Sequence, residues 1–173
     1  MICGLDISTS ITGVTLLDNT GKIVYNEAWD TRKFKDFFAK AEFIRRKITF
    51  LTEKYKIDEV FIEQSLQSFR SGFSSAKTLS SLSRFNGVVS WLIFQHTKIK
   101  PEYLSATSAR KSCGIKVPRG TKAKAVVIDF LLDSEPQFVV EYTKFGNVKP
   151  ECFDKADSII IARAGYNCRQ IKK

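Results

Sequence analysis

The sequence has very little histidine, and its few cysteines are not spaced as metal ligands. Among 173 residues there is one histidine, His96, and no two of the four cysteines form a Cys-x-x-Cys pair. These absences argue against a His-ligated metal cluster, an HNH-type nuclease and a zinc finger or ribbon. The Gly-x-x-x-x-Gly-Lys-Ser/Thr motif of P-loop ATPases is also missing, so we expect no nucleotide cofactor.

Long apolar runs and a leader sequence are missing as well. No apolar stretch reaches membrane-spanning length, and no signal peptide precedes the first predicted strand. Cys3 and Cys152 lie among apolar residues, which is typical of reduced thiols in a core. These observations predict a cytoplasmic protein with no membrane partner.

Acidic residues are few relative to basic ones. The chain carries 28 Lys and Arg against 18 Asp and Glu, a net charge of +10, and its composition is 43% hydrophobic. The composition is that of a globular protein, and the length predicts a single domain over residues 1–173. The positive charge favours a polyanionic partner, nucleic acid in particular. No acidic residue occurs between positions 103 and 128, where six basic residues lie: Arg110, Lys111, Lys116, Arg119, Lys122 and Lys124.

Hydrophobic patterning predicts an α/β fold with a five-stranded mixed sheet flanked by helices on both faces. The first three strands, within residues 2–29, read as an antiparallel meander whose first strand is central. Val60–Ile62 is apolar throughout, as in a buried parallel strand. A fifth, short strand is predicted over 102–106.

Helical periodicity predicts long helices over 34–55 and about 75–97. Thr107 is the predicted N-cap of a short helix, and Thr121 that of a longer one ending near residue 132. A last helix has Pro150 in its first turn and a predicted end near Gly165.

Two helices have unusual surfaces. The first long helix and the residues before it carry a basic face, which we interpret as solvated in preference to a specific binding surface: Lys33, Lys35, Lys40, Arg45, Arg46 and Lys47. The second is apolar nearly all round, so it is either deeply buried or faces a second subunit. Gly87 would permit close helix approach at such a subunit contact.

Four carboxylates occupy positions where a buried charge without a partner would be energetically costly. Asp6 interrupts an apolar strand, and Glu63 follows Val60–Ile62 directly. Asp154 and Asp157 are three residues apart on the last helix and share one face. Carboxylate oxygens are the ligands of hard divalent cations, and two such ions can clamp the attacking and leaving oxygens of a phosphodiester. Singly, each acid has a structural explanation; together they predict metal-assisted phosphoryl transfer.

These acids stand in motifs that resemble those of the RuvC-like Holliday-junction resolvases, in the ribonuclease H-like superfamily. Residues 4–10, Gly-Leu-Asp-Ile-Ser-Thr-Ser, followed by Thr12–Val14, resemble the family's first motif. Ile62–Gln64 is similar to its second, and Asp154–Asp157 to its terminal Asp-x-Ala-Asp helix. The resemblance extends from residue 1 to about 165. The small size and divergent intervening sequence suggest a phage or viral member, which would work in the host cytoplasm.

The resemblance implies a homodimer that binds four-way DNA junctions and nicks two opposing strands symmetrically. It implies two Mg²⁺ or Mn²⁺ ions per site, held by Asp6, Glu63, Asp154 and Asp157. Lys124 aligns with a basic residue of the family's active-site region, and Arg110 or Lys111 with another. The stretch containing Lys116, Arg119 and Lys122 is expected to hold flanking phosphates.

The family often places an aromatic wedge for the junction centre after its second motif. Here Leu66 stands at the matching offset, with Phe69 and Phe73 soon after. We name these three as candidates for DNA contact, while core or dimer contacts for the two phenylalanines are slightly favoured.

Other functions are also compatible with the sequence. A debranching endonuclease of the same superfamily, acting on forks and flaps, would use the same acids, and an inactive junction-binding protein would share the basic surface. The first motif also occurs in actin-like and sugar kinases, but those proteins need two such domains and 173 residues supply one.

Overall fold

The computed structural model describes residues 1–64 and 76–171, and within them a mixed sheet lies between two helical layers. Its strands are β1 (Ile2–Asp6), β2 (Ile11–Leu17), β3 (Ile23–Asp30), β4 (Glu59–Glu63) and β5 (Glu102–Leu104). The helices are α1 (Phe37–Lys54), α2 (Ala76–Thr97), α3 (Ala106–Ser112), α4 (Ala123–Ser134) and α5 (Pro150–Ile171). The predicted α/β class and five-stranded mixed sheet are confirmed.

The strand order brings the carboxyl ends of β1 and β4 together. The order is β3-β2-β1-β4-β5, with β1 in the centre as predicted. Strands β1, β2 and β3 pair antiparallel, while β4 pairs parallel to both β1 and β5. Because β1 and β4 run in the same direction, the residues that end them share one edge of the sheet.

Each face of the sheet has its own core. Helices α1 and α2 cover one face through apolar side chains, among them Trp29, Ile44 and Phe85. Helices α3, α4 and α5 cover the other face, where Phe61 and Ile159 are buried. Successive side chains of β1 point to opposite faces of the sheet. Leu5 points to the face that α1 covers, so Asp6 points to the face that α5 covers.

Helix α5 lies unusually close to the sheet because two strand glycines remove the side chains beneath it. A Cβ on Gly13 would stand 1.8 Å from the carbonyl oxygen of Asp154, and one on Gly4 would stand 2.4 Å from the backbone nitrogen of Ala162. The backbone of α5 therefore rests directly on β1 and β2. This contact sets the depth at which the acids of α5 lie.

A buried hydrogen-bond chain fixes the position of α5 along the sheet. Asn26 Nδ2 donates to Thr15 Oγ1 over 2.8 Å, and the hydroxyls of Thr15 and Ser158 are 2.7 Å apart. Ser158 Oγ in turn donates to the carbonyl of Lys155 over 2.8 Å. Since Thr15 and Ser158 are fully buried, a shift of α5 along β2 would leave polar groups unsatisfied.

Three predicted helix boundaries were wrong. Helix α3 is capped by Ser105, whose Oγ accepts from the backbone N–H of Ser108, and not by Thr107. Helix α4 follows Lys122, because the Thr121 hydroxyl donates to the carbonyl of Pro118 and closes the preceding turn. In both places a local hydrogen bond competes with the expected cap.

Helix α5 also runs through Gly165 to Ile171 instead of ending at the glycine. A Cβ at Gly165 would lie 2.3 Å from a ring carbon of Phe61. The glycine is therefore a packing contact with β4 and does not end the helix.

The state of the cysteines and the character of the helices are also described by the structure. All four cysteines lie in the described part of the chain and are free, and Cys3 and Cys152 are buried. No helix within 1–64 and 76–171 combines the length and apolar character needed to cross a membrane.

Candidate active site

Asp6 and Glu63 lie side by side at the edge where β1 and β4 end. The register pairs Leu5 with Ile62, so the two acids are the next residues along adjacent parallel strands. The backbone leaves β1 through a loop held by Ser8, whose Oγ accepts from the N–H groups of Ser10 and Ile11. The loop turns back into β2 immediately and leaves the carboxylate of Asp6 beside α5.

Asp154 and Asp157 reach the same edge from α5. The backbone of Asp154 lies on Gly13, which is paired with Asp6 in the β1–β2 ladder. Asp157 follows one turn later, and its side chain is only 16% exposed. The four acids of the predicted constellation therefore come together from β1, β4 and α5.

The neighbouring acids oppose the ionisation of Asp6. Burial raises the pKa of Asp6 well above its ordinary value, and the charges of Glu63, Asp157 and Asp154 raise it further, in that order. Each of these three acids therefore opposes ionisation of Asp6. A cation placed among them would remove this opposition.

The other acids show the same direction of shift. Burial, followed by the charge of Asp157, raises the pKa of Glu63 to about 7. Burial raises the pKa of Asp154 to about 6, with Asp157 adding to the rise and Lys124 opposing it. The pKa of Asp157 is raised by burial too, against the lowering effects of Lys124 and Arg110. The site thus has an excess of negative charge that the protein only partly offsets.

Among the described residues, Lys124 and Arg110 are basic side chains that act on these carboxylates. Lys124 Nζ lies 4.0 Å from Asp157 Oδ2, and 61% of its side chain is exposed. Its ammonium also lies 5.6 Å from the ring centroid of Phe153. Arg110, in the last turn of α3, lowers the pKa of both Glu63 and Asp157. Of the two residues considered, Arg110 and Lys111, the structure brings Arg110 to the acids, while Lys111 is exposed.

The remaining predicted DNA-contacting residues are distributed differently. Lys116, Arg119 and Lys122 are exposed in the connection between α3 and α4 that leads to Lys124. Leu66, Phe69 and Phe73 lie outside the described residues.

The four side chains are of the chemical type that binds a hard divalent cation, but they do not form a complete coordination shell. All four side chains offer carboxylate oxygens, and their raised pKa values reflect repulsion that a cation would relieve. Among the described residues, however, no group of three or more His, Cys, Asp or Glu side chains is arranged to hold a metal ion as it stands. Mg²⁺ usually takes one or two protein carboxylates together with water and substrate phosphate, so a closed cage is not required.

Sequence reasoning missed the residues that position α5. Thr15, Asn26 and Ser158 hold the helix in register, and Gly4 and Gly13 allow it to approach the sheet. One signal was available: Thr15 and Asn26 are polar residues within strands, which hydrogen bonds must satisfy when buried. Their partner on a helix more than 100 positions away could not be read from the sequence.

Comparison with known proteins supplies the fold relationship. No protein-family model and no curated protein sequence matches the chain. The T. thermophilus RuvC in complex with a Holliday junction substrate is similar, with a TM-score of 0.66, 12% identity, and coverage of 98% of this chain and 94% of that chain. A second Thermus thermophilus RuvC structure gives a TM-score of 0.65 at 14% identity, covering 98% and 95%.

The yeast mitochondrial Holliday junction resolvase Ydc2 is also similar, with a TM-score of 0.64 at 16% identity, covering 98% of this chain and 78% of that one. These neighbours give no support to a phage origin. At such identities the likeness concerns the fold, and it agrees with the motifs at Asp6, Glu63 and Asp154–Asp157. This chain has the ribonuclease H-like fold of the RuvC-like Holliday-junction resolvases.

Proposed function

We propose that residues 1–173 form a single nuclease domain that resolves four-way DNA junctions by paired, symmetric, divalent-metal-dependent nicking. One observation carries the proposal: carboxylates from β1, β4 and α5 gather so closely that three of them raise the pKa of Asp6. Two further observations support the proposal: the basic surface between α3 and α4, and the fold shared with T. thermophilus RuvC, which binds a Holliday junction substrate, and with the yeast Holliday junction resolvase Ydc2.

The residues present divide into an anionic centre and a cationic rim. Asp6, Glu63, Asp154 and Asp157 would hold two Mg²⁺ or Mn²⁺ ions. When bound, such ions supply Lewis-acid stabilisation and an activated water for phosphodiester hydrolysis.

Lys124 is mostly exposed and within 4.0 Å of Asp157, so its ammonium is placed to bind the phosphate that enters the site. Arg110 lies on the Glu63 and Asp157 side and contributes a second positive charge. Lys116, Arg119 and Lys122 bind neighbouring phosphates, which makes recognition depend on backbone shape more than on base sequence.

Symmetric nicking requires two copies of the chain, and α2 offers the surface for the contact. Trp91 is 60% exposed on the outer side of this helix, and its ring centroid lies 5.9 Å from that of Phe94. Gly87 lies one turn before Trp91 on the same exposed stripe of α2, and a Cβ there would meet no atom of the described residues within 4 Å. Such a stripe can pack closely against a second copy.

The test is nuclease activity on an end-labelled synthetic four-way junction with Mg²⁺ or Mn²⁺. A linear duplex, a Y-fork and an EDTA sample run beside it, with Asp6→Asn as the inactive control. We expect paired nicks at symmetric positions on the junction, lost in EDTA and in the variant.

Two other results would replace the proposal. Equal cutting of forks and flaps would identify a debranching endonuclease of broad range. Tight junction binding without cutting in either metal would identify a binding protein and remove the catalytic role of the carboxylates.

A further inference from the structure

An open cleft of about 470 Å³ lies on the side of the molecule that carries α1. Its lining residues come from the connection before α1 and from the middle of the helix: Lys33, Phe34, Phe43, Arg46 and Lys47. Two aromatic rings and three cations therefore share one concave surface. The volume is within the range of pockets that hold small molecules or parts of larger ligands.

The cleft has an apolar floor and a cationic rim. The rings of Phe34 and Phe43 have centroids 5.3 Å apart and are both half-buried. The ammonium of Lys33 lies 5.1 Å and 5.5 Å from the two centroids, a cation–π arrangement. Arg46 is exposed at the rim, whereas Lys47 donates to Glu27 over 2.8 Å and is largely neutralised. Within the part of the chain that the structure describes, Lys33 and Arg46 are thus the lining cations that remain for a ligand.

Contacts at the start of α1 tie this cleft to the edge of the sheet that carries the carboxylates. Lys40 Nζ donates to the carbonyl of Thr9, and Thr31 Oγ1 donates to the carbonyls of Thr9 and Ser10 over 3.0 Å. Thr9 is three residues beyond Asp6. The path from Asp6 to the cleft runs three residues to Thr9, across the hydrogen bond to Thr31, and two residues on to Lys33. At about 3.5 Å per extended residue, Lys33 lies within about 30 Å of Asp6. This is less than one turn of duplex DNA, about 34 Å.

We propose that this cleft binds the backbone of a DNA strand that leaves the active site. Lys33 and Arg46 bind consecutive phosphates, and the rings of Phe34 and Phe43 pack against the sugar or base between them. The inference rests on the proposed function, since it takes the substrate to be DNA extending from the carboxylates. It changes the interpretation of the basic face of α1, because it assigns a binding role to two of its cations, Lys33 and Arg46.

The chain supplies a matched control for each of these two cations. Lys35 is exposed two residues after Lys33 and lies outside the cleft lining, and Arg45 is exposed beside Arg46 but pairs with Glu42 over 2.7 Å. The double variants Lys33→Ala/Arg46→Ala and Lys35→Ala/Arg45→Ala therefore have the same net charge. Affinity for a four-way junction is measured in EDTA at several salt concentrations, and urea unfolding verifies that both variants are folded.

We expect the cleft variant to bind about tenfold more weakly than the control variant and its salt slope to fall by about 2. Equal affinities and slopes for the two double variants would overturn the inference. A chain that binds no DNA would overturn both the inference and the proposed function. If the wild type binds junctions in a cleft-dependent manner but cuts none in Mg²⁺ or Mn²⁺, only the proposed function fails.

Discussion

The two ends of the central strand pair treat acidic residues in opposite ways. Where β1 and β4 begin, the ammonium of Met1 donates to the carboxylate of Asp58, and Arg169 Nε lies 3.3 Å from Glu59 Oε1. The hydrogen bond from the amino terminus lowers the pKa of Asp58. Where the same strands end, the pKa values of Asp6 and Glu63 are raised.

The contrast distinguishes acids that form ion pairs within the fold, Asp58 and Glu59, from acids that are suited to bind a ligand, Asp6 and Glu63. At the first end each carboxylate has a cation of the protein beside it, and the ion pairs are ordinary surface contacts. At the second end the negative charges are concentrated, partly buried and only partly offset by Lys124 and Arg110. Concentrated perturbed groups of this kind are typical of functional sites.

The largest effect is expected from Asp157→Asn. The substitution keeps the size of the side chain but removes one ligand charge, so junction cleavage should fall about a thousandfold, the equivalent of roughly 4 kcal/mol of transition-state stabilisation. Single-turnover cleavage measures the loss. Junction affinity in EDTA is the control and should stay within about twofold, and full cleavage activity in this variant would remove Asp157 from the site.

Gly13→Ala should separate the carboxylates by moving α5. The new Cβ would lie 1.8 Å from the carbonyl of Asp154, and backbone must shift to admit it. We expect a loss of about 3 kcal/mol in the free energy of unfolding, together with reduced cleavage. Gly87→Ala is the matched control for the unfolding measurement, since no described residue lies within 4 Å of its Cβ and alanine favours a helix. Equal stability of the two variants would contradict the close contact of α5 with β2.

Glu63→Gln should stabilise the protein without metal. The pKa of Glu63 is about 7 against an ordinary 4.5, so the folded state favours the protonated form. That contribution to stability is complete below pH 4.5 and is lost as the pH rises through 7. At pH 8 in EDTA the variant should therefore be more stable by about 1–3 kcal/mol, at roughly 1.4 kcal/mol per pKa unit. Urea unfolding at pH 8 and pH 4.5 is the measurement, and a variant less stable than wild type at pH 8 would show that Glu63 is structurally paired.

Asp58→Asn tests the opposite end of the strands and should have the smallest effect. Its carboxylate is paired but exposed, so we expect a loss of about 0.5 kcal/mol at pH 7. The lowered pKa means that this contribution is present above the ordinary value of 3.8 and disappears as the pH falls through the folded-state value. Junction cleavage should be unchanged, and a large loss of cleavage would show that the two ends are coupled.

The acids could be predicted because they break local patterns. Asp6 and Glu63 interrupt apolar strands, and the spacing of Asp154 and Asp157 on a helix is visible in the sequence. The sheet follows from similar local signals, namely β-branched strands and one strand apolar throughout.

What could not be predicted depends on contacts between distant elements. The extension of α5 past Gly165 depends on the ring of Phe61, more than 100 residues earlier. The distinction between Arg110 and Lys111 depends on which side of a short helix faces the acids. The cleft likewise depends on the connection before α1 packing against the helix through Phe34 and Phe43, which brings Lys33 and Arg46 to one surface.

Direct binding of Mn²⁺ to the EDTA-stripped protein at pH 8 tests the central claim without any assumption about the DNA substrate. Calorimetric titration compares wild type with Asp6→Asn and Asp58→Asn, which remove one carboxylate from opposite ends of the same strand pair. We predict that wild type and Asp58→Asn bind Mn²⁺ alike and that Asp6→Asn binds at least about tenfold more weakly. Equal Mn²⁺ affinity in all three proteins would contradict the assignment of these carboxylates as a metal site.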